Sequence, residues 1–349
     1  MNKYILAIDA GTTSSRAILF DKNAEAVEIA QYEFDQIFPK EGWVEHDALE
    51  ILNTQLRAIR DVINNSKIDP NNIDSVGITN QRETTVIWNK KTGKPVFNAI
   101  VWQDRRTASF CDDLIKNNKT KLIQNKTGLV IDAYFSGTKI KWILDSDPKI
   151  RSQANDGELL FGTIDTWLIW NLTNGQSHIT DPSNASRTLL YNIKKDCWDD
   201  ELLSLFDIPK NILPDVVDSS SISAHIDAKI FGAKIPISGI AGDQQAALFG
   251  QLCTDEGDIK NTYGTGCFCM MNTGKTFVKS NNKMLSTIAW RIDGELTYAL
   301  EGSVFVAGAL IQWLRDKLGI IKNASEVENL ANTVDNNGGV TFIPALSGL

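Results

Sequence analysis

The sequence has 349 residues, of which 42% are hydrophobic and 22% charged, as is typical of a globular chain long enough for two domains. Its formal net charge of −8 argues against a general affinity for nucleic acid or for an anionic membrane, because both require a basic surface. Five cysteines without a CxxC spacing and only three histidines argue against a disulfide framework and a zinc centre, and no apolar run approaches the roughly 20 residues of a membrane-spanning helix. We therefore expect a cytoplasmic protein without membrane insertion.

The N-terminal quarter of the chain predicts a mixed α/β unit. Apolar residues spaced three and four apart from Leu49 to Ile63 predict an amphipathic helix, with Asp47 as its N-cap. Strands are predicted at 4–8, 17–20, 27–34, 73–79 and 84–88. Three strands, a helix and further strands are the order typical of a sheet covered by helices.

The C-terminal part repeats this alternation. A strand at 235–240 leads through Gly242-Asp243 into a helix over about 244–251. Further strands are predicted at 258–263, 267–271, 286–291 and 296–300, followed by a helix over about 303–318. The order again favours an α/β fold.

The first two strands are joined by an unusually polar hairpin. A glycine turn exposes backbone N–H groups that can bind an anion, and hydroxyl and guanidinium donors suit phosphate oxygens. The carboxylate of Asp9 would repel a phosphate unless Mg²⁺ lies between them. The hairpin donors are Thr12, Thr13, Ser14 and Arg16. The alternative, that these groups only satisfy the hairpin itself, stays open.

A second glycine-threonine turn, Gly264-Thr265-Gly266, lies near the start of the C-terminal part. It begins a GxGxxG pattern but lacks the third glycine, and Gly274-Lys275-Thr276 lacks the first glycine of a Walker A loop. The sequence therefore predicts neither a P-loop nor a Rossmann dinucleotide site.

Two charged motifs follow predicted strands. Arg82-Glu83 offers a donor beside an acceptor, which is what a vicinal diol requires, and Asp243 lies where a strand runs into a helix. Apolar walls for such a site are available from Trp102, Tyr134 and Phe268. Simpler interpretations stay open: a solvated loop for the pair, an N-cap for Asp243 and core packing for the aromatic residues.

These motifs together resemble the FGGY family of carbohydrate kinases, within the actin-like (ribonuclease H-like) ATPase superfamily. The resemblance covers almost the whole chain, and the sequence is most similar in detail to the family members that phosphorylate glycerol. It is carried by the segments 8–21, 77–88, 99–107, 134–143, 236–252 and 261–274.

The resemblance implies a role for each matching position. Asp243 matches the general base, and Asp9 the acid on the Mg²⁺ side. The implied glycerol contacts are Arg82, Glu83, Trp102, Tyr134, Asp243, Gln244 and Phe268. The implied ATP contacts are Thr12, Thr13, Ser14, Arg16, Thr265, Gly308 and Gln312.

The resemblance also implies an activity and an architecture. The activity is ATP-dependent phosphorylation of glycerol to sn-glycerol 3-phosphate with release of ADP, and a homo-oligomer is compatible with it. The architecture is two related domains around a cleft, with residues 1–246 carrying the first hairpin and the glycerol site and 247–349 forming an incomplete second domain with the second hairpin.

The family's chains continue past residue 349, so the resemblance implies a C-terminal truncation that removes the adenine loop. Weak or absent activity is the expectation for these 349 residues. Two other functions stay open: a related kinase acting on a pentulose or hexonate, and a nucleotide-binding module without catalysis.

Overall fold

A ten-stranded mixed sheet forms the centre of the protein in the computed structural model, which describes residues 3–264, 266–282, 284–304 and 306–343. The strands of this sheet and of the short two-stranded sheets around it are β1 (Tyr4–Ala10), β2 (Ser14–Phe20), β3 (Ala26–Glu33), β4 (Glu45–His46), β5 (Ile73–Asn80), β6 (Val86–Asn89), β7 (Ala99–Ile100), β8 (Leu159–Gly162), β9 (Ile179–Thr180), β10 (Tyr191–Asn192), β11 (Cys197–Trp198), β12 (Asp215–Val216), β13 (Ser220–Ile226), β14 (Ile235–Gly242), β15 (Ile259–Tyr263), β16 (Cys267–Asn272), β17 (Leu285–Ile292) and β18 (Glu295–Val304). The helices are α1 (Ala48–Ser66), α2 (Ala108–Lys116), α3 (Thr120–Thr127), α4 (Ser136–Ser146), α5 (Pro148–Asn155), α6 (Ile164–Leu172), α7 (Pro182–Ala185), α8 (Asp200–Phe206), α9 (Ala228–Phe231), α10 (Asp243–Gly250), α11 (Gly308–Asp316) and α12 (Glu326–Ala331).

The sheet order is β15-β16-β18-β17-β13-β14-β5-β1-β2-β3. At its middle, β5 runs parallel to both β1 and β14, so the carboxyl ends of these three strands lie side by side. The register pairs Asn80 with Ala10 on one side and with Gly242 on the other. The residues that follow these strands therefore meet at one edge of the sheet.

The predicted N-terminal helix and its cap are confirmed. Asp47 accepts a hydrogen bond from the Leu49 amide, and α1 packs against β2 and β3. Most of the predicted stripe is buried, including Ile59 and Ile63, whereas Leu49 at its start is 42% exposed. The buried face also includes Ile51, Ala58 and Val62. The polar Gln55 belongs to the buried face because its amide donates to the carbonyl of Arg16, which the leucine spacing does not reveal.

The two largest apolar clusters among the described residues support the sheet and the layer beside it. The first joins the sheet to α1 and α6 and includes Ile8, Ile59 and Trp167. The second, around Ile140 and Phe206, joins α4, α8 and the short strands between β5 and β13. This second layer carries the loops that project toward the carboxyl ends of β5 and β14.

The predicted helix over 303–318 is too long at its start. Strand β18 continues to Val304, and α11 begins only at Gly308. The fully buried part of β18 ends at Glu301, and Gly302 and Ser303 are typical of a turn, so no local signal predicts that the strand continues to Val304. Within the described residues, no helix combines the length and apolarity that crossing a lipid bilayer requires.

Candidate active site

A cavity of about 170 Å³ opens where the ends of β5 and β14 meet the β1–β2 hairpin. Pockets for drug-sized ligands measure about 300–1,000 Å³, so this cavity suits a smaller molecule. It is lined by Thr12, Arg82, Glu83, Trp102, Tyr134, Asp243, Gln244, Thr262, Gly264, Gly266 and Phe268. All seven predicted glycerol contacts thus lie around one cavity, together with one predicted ATP contact, Thr12.

The turn after β5 places Arg82 and Glu83. Gln81 ties this turn to the hairpin, because its backbone amide donates to the Ala10 carbonyl and its side-chain amide donates to the Gly11 carbonyl. Glu83 has a φ of 61°, which is uncommon for a residue with a side chain, and the Ser136 hydroxyl donates to its carbonyl at 3.0 Å. The turn is therefore held from the hairpin and from α4.

Asp243 and Arg82 face each other across the entrance to the helix α10. The distance from Arg82 Nε to Asp243 Oδ1 is 3.2 Å. Burial raises the pKa of Asp243 above its ordinary value, and the Arg82 charge opposes that rise. The Asp243 side chain remains 38% exposed, so its carboxylate is accessible from the cavity. Gly242, not Asp243, occupies the N-cap position of α10.

Arg82 and Glu83 belong to a buried cluster of four charged residues. Arg82 Nη1 donates to Glu301 Oε2 at 2.5 Å, and Arg187 Nη2 donates to Glu301 Oε1 at 2.8 Å. Arg187 Nε also donates to Glu83 Oε1 at 2.6 Å. Burial alone would raise the pKa of Glu301, but the two guanidinium groups lower it to about 2. Glu301 is therefore firmly ionised.

Aromatic rings form one wall of the cavity. The ring centroids of Trp102 and Tyr134 are 5.7 Å apart and those of Trp102 and Phe268 are 6.4 Å apart, both edge to face. Trp102 Nε1 donates to the hydroxyl of Thr12 at 3.0 Å, and Arg82 Nη2 donates to the hydroxyl of Tyr134 at 3.4 Å. The wall is thus connected to both the hairpin and the charged cluster.

Gln244 is held by a buried lysine from the C-terminal part. Lys260 Nζ donates to Gln244 Oε1 and, at 2.8 Å, to the Thr262 hydroxyl. Burial, together with the nearby Arg82 charge, lowers the pKa of Lys260 to about 8. Because an ammonium group can only donate, the Gln244 amide must keep its NH₂ group for other partners.

The β1–β2 hairpin places its polar groups unevenly. Thr12 reaches the cavity and Thr13 is exposed, whereas Ser14 and Arg16 both bond to the side chain of Gln31 on β3. Asp9 lies at the end of β1, where burial raises its pKa and Arg16 opposes the rise. The described residues contain no cluster of three or more histidine, cysteine or acidic side chains that would form a metal site by itself.

The second hairpin closes the opposite side of the cavity. Gly264 and Gly266 line it, whereas Thr265 lies outside the described residues. The Gly308 amide donates to the Gly264 carbonyl at 3.0 Å, which joins α11 to this hairpin. Gln312 is exposed on α11 and does not line the cavity.

Sequence reasoning missed four residues that support this site. Three of them are single charged side chains with no motif around them, whereas Gln245 follows Asp243-Gln244 but was given no role of its own. Each acts through a contact distant in sequence. They are Arg187, Gln245, Lys260 and Glu301. The only local signal is the position of Lys260 and Glu301 inside strands, where charges are rare unless paired.

The chain matches the profiles of the FGGY family of carbohydrate kinases, the N-terminal domain over residues 4–250 and the C-terminal domain over 259–349. It is 59% identical to a glycerol kinase of Alkaliphilus oremlandii, with all of this chain and 69% of that protein aligned. It is 60% identical to a glycerol kinase of Borreliella afzelii, with 99% of this chain and 69% of that protein aligned.

Solved structures show the same fold. The crystal structure of Plasmodium falciparum glycerol kinase with ADP superposes with a TM-score of 0.91 at 38% identity, over all of this chain and 70% of that one. A gluconate kinase from Lactobacillus acidophilus superposes with a TM-score of 0.85 at 23% identity, over 96% of this chain and 66% of that one. The predicted actin-like α/β fold is confirmed.

Proposed function

Because the chain belongs to the FGGY family of carbohydrate kinases, we propose that it transfers the γ-phosphoryl group of ATP to glycerol, forming sn-glycerol 3-phosphate and ADP. Two relatives that are 59% and 60% identical are glycerol kinases. The observation that carries the proposal is the small cavity itself, in which a buried arginine–glutamate pair, an accessible carboxylate and an aromatic wall face one another.

The cavity has the chemistry of a triol site. A hydroxyl group both donates and accepts, so it pairs well with an arginine beside a glutamate. Arg82 supplies the donor, and no donor among the described residues contacts Glu83 Oε2, which leaves that oxygen to accept from a substrate hydroxyl. The carbon chain of glycerol would pack against Trp102 and Phe268, and the Gln244 amide would donate to another hydroxyl.

Asp243 is the proposed general base. Its carboxylate would take the proton from the terminal hydroxyl as that oxygen attacks phosphorus, which makes the oxygen a better nucleophile. Burial raises the pKa of Asp243 and so makes it a stronger base, while Arg82 keeps it ionised near neutral pH. Phosphoryl transfer otherwise depends mainly on positioning and on neutralising charge.

The hairpins are proposed to hold ATP from two sides. Thr12 lies at the cavity and would donate to the phosphate nearest the substrate, with Thr13, Ser14 and Arg16 farther along the same hairpin. The second hairpin, which contains Thr265, would hold the phosphates from the other side. Gly308 would support it through its bond to Gly264, and Gln312 would contact the nucleotide outside the cavity.

The residues present fit a nucleotide-bound Mg²⁺ better than a metal held by protein alone. Mg²⁺ keeps several waters and is usually held by one or two carboxylates together with substrate phosphates. Asp9 is one such carboxylate, half-buried at the end of β1 without a paired cation strong enough to lower its pKa. When bound, Mg²⁺ neutralises charge on the phosphate oxygens.

The organisation and location of the protein are also proposals. We place the boundary between the two domains at residues 246 and 247, close to the gap between the two matched profiles. A cytoplasmic location agrees with ATP as a substrate and with five unpaired cysteines.

The proposal is tested by product formation from a panel of polyols. At high protein concentration, ATP consumption should depend on glycerol, and the product should be sn-glycerol 3-phosphate by enzymatic or NMR analysis. Xylulose, ribulose and gluconate should give much slower turnover because they exceed the small cavity. Faster turnover with any of these three compounds would show that it, and not glycerol, is the substrate. ATP binding without polyol-dependent ADP release would indicate a non-catalytic module.

A further inference from the structure

Two buried residues that do not line the cavity bind the residues that do. Arg187 and Glu301 are both fully buried, and between them they contact Arg82 and Glu83. We propose that Arg187 and Glu301 are positioning residues that fix the orientation of Arg82 and Glu83 for glycerol binding. This inference rests on the proposed function, because it concerns how the glycerol site is built.

Glu301 couples the two arginines. Its two carboxylate oxygens bind different guanidinium groups, Oε2 that of Arg82 and Oε1 that of Arg187. The carboxylate is planar and both bonds are short, so the two arginines cannot move independently. The remaining side of the Arg82 group, Nε and Nη2, then faces Asp243 and the Tyr134 hydroxyl. Glu301 thus determines which nitrogens of Arg82 point toward the cavity.

Arg187 determines which oxygen of Glu83 faces the substrate. Its Nε group donates to Glu83 Oε1, and no donor among the described residues contacts Oε2. Without Arg187, Glu83 could turn toward Arg82, whose Nε already lies 3.9 Å from Oε1. A closed pair between Arg82 and Glu83 would satisfy both groups internally and leave neither for a hydroxyl.

Stability alone does not account for this arrangement. Replacing buried ion pairs with apolar residues of similar volume is often neutral or stabilising, because burying charges carries a large desolvation cost. Among the residues that the structure describes, the buried Nη1 atom of Arg187 has no hydrogen-bond partner, which adds to that cost. Four charges held in fixed directions beside an open cavity are better explained by the need to present a donor and an acceptor to a ligand.

The discriminating experiment replaces both charges at once. The double variant Arg187→Met, Glu301→Met removes the buried pair without leaving a lone charge, so its thermal unfolding midpoint should not fall far below that of the parent. Its glycerol dissociation constant, measured by calorimetry, should rise about 10- to 100-fold, as expected when charged hydrogen-bond partners lose their orientation. In steady-state assays the glycerol KM should rise by a similar factor while the ATP KM stays near the parent value.

Two further variants make the result decisive. Arg187→Lys keeps the charge but cannot bond Glu83 and Glu301 in the same geometry, so it should also weaken glycerol binding. Glu295→Gln is the matched control, because it removes an exposed carboxylate that pairs with the exposed Lys275 from the same strand as Glu301. It should bind glycerol as the parent does.

The outcomes separate the inference from the function on which it rests. Glycerol binding by the parent chain tests the proposed function first, and no binding there would contradict both. If the parent binds glycerol and either the folded double variant or Arg187→Lys binds it equally well, the positioning role is wrong while the proposed function stands. A parallel rise in the glycerol and ATP KM values would also contradict it, since that indicates general disorder.

Discussion

Substituting Gly242 by alanine is predicted to weaken glycerol binding, because the added methyl group collides with Arg82. Gly242 has φ −59° and ψ 150°, a conformation that alanine adopts without strain. A Cβ atom there would lie 2.7 Å from both Cγ and Cδ of Arg82, and Cβ atoms essentially never approach other heavy atoms within 3.0 Å. Arg82 must therefore move by several tenths of an ångström.

Arg82 cannot make that movement without losing contacts. It is held by Glu301 at 2.5 Å, by Gln245 at 3.2 Å and by Asp243 at 3.2 Å, so a displaced side chain weakens at least one of these bonds. Overpacking a filled site costs about 1–3 kcal/mol. If Arg82 bears most of that cost, the glycerol dissociation constant rises about 10- to 100-fold, at 1.4 kcal/mol for each factor of ten.

Calorimetric titration with glycerol measures this effect, with Gly239→Ala as the matched control. Gly239 lies on the same strand, and among the described residues an added Cβ there would meet only Gly77 Cα at 3.6 Å, an ordinary contact. Gly239→Ala should therefore bind glycerol as the parent does. A Gly242→Ala variant with parental affinity would refute the role of Arg82 in binding, and an equal loss in both variants would indicate a general disturbance of β14.

Three further predictions concern the hairpin, the base and a buried lysine. Thr12→Val keeps the shape of the side chain but removes the hydroxyl that accepts from Trp102 Nε1, so the affinity for glycerol, measured by calorimetry, should fall about fivefold. An unchanged affinity would show that this hydrogen bond does not position the Trp102 ring. Burial raises the pKa of Asp243 above its ordinary value of 3.8. The kcat/KM for glycerol should therefore fall as the pH drops through that raised pKa, because the base takes up a proton. A flat profile down to about pH 4 would contradict the assignment of Asp243 as the base. Burial lowers the pKa of Lys139 to about 8 from 10.5, so the unfolded chain binds the extra proton between these values and the free energy of unfolding should increase as the pH rises across them. Chemical denaturation should show an increase that is larger by up to about 3 kcal/mol in the parent than in Lys139→Met, where the lowered pKa of Lys260 still contributes. Equal slopes in the two proteins would exclude the effect of Lys139.

The strands and hairpins could be predicted because their signals are local. Alternation of apolar residues gave strands β1, β2 and β5 to within a few residues, and Asp47 with the following leucines gave α1. Arg82, Glu83 and Asp243 could be predicted because each belongs to a polar motif that follows a predicted strand. The roles of Trp102, Tyr134 and Phe268 came from the family resemblance. The structure adds that these separate motifs meet, which follows from the parallel pairing of β5 with β1 and β14.

The supporting residues could not be predicted because their signals are not local. Glu301 follows a run of apolar residues in β18 and bonds to Arg82, which is 219 positions earlier in the chain. Arg187 follows the short helix α7 and bonds to Glu83, 104 positions away. Only the three-dimensional arrangement distinguishes such a charge from an ordinary surface residue. The same holds for the exposed Leu49, whose spacing alone suggested burial.

The substitution Asp243→Asn tests the central claim most directly, that Asp243 acts as the base on a glycerol molecule bound by Arg82 and Glu83. The amide keeps the size of the carboxylate and a hydrogen-bond acceptor for the Gln244 backbone, so glycerol should bind with nearly parental affinity in calorimetry. It cannot take a proton at neutral pH, so glycerol-dependent ADP formation should fall by a factor of about 100 or more. Turnover close to that of the parent chain, with glycerol still bound, would contradict the account.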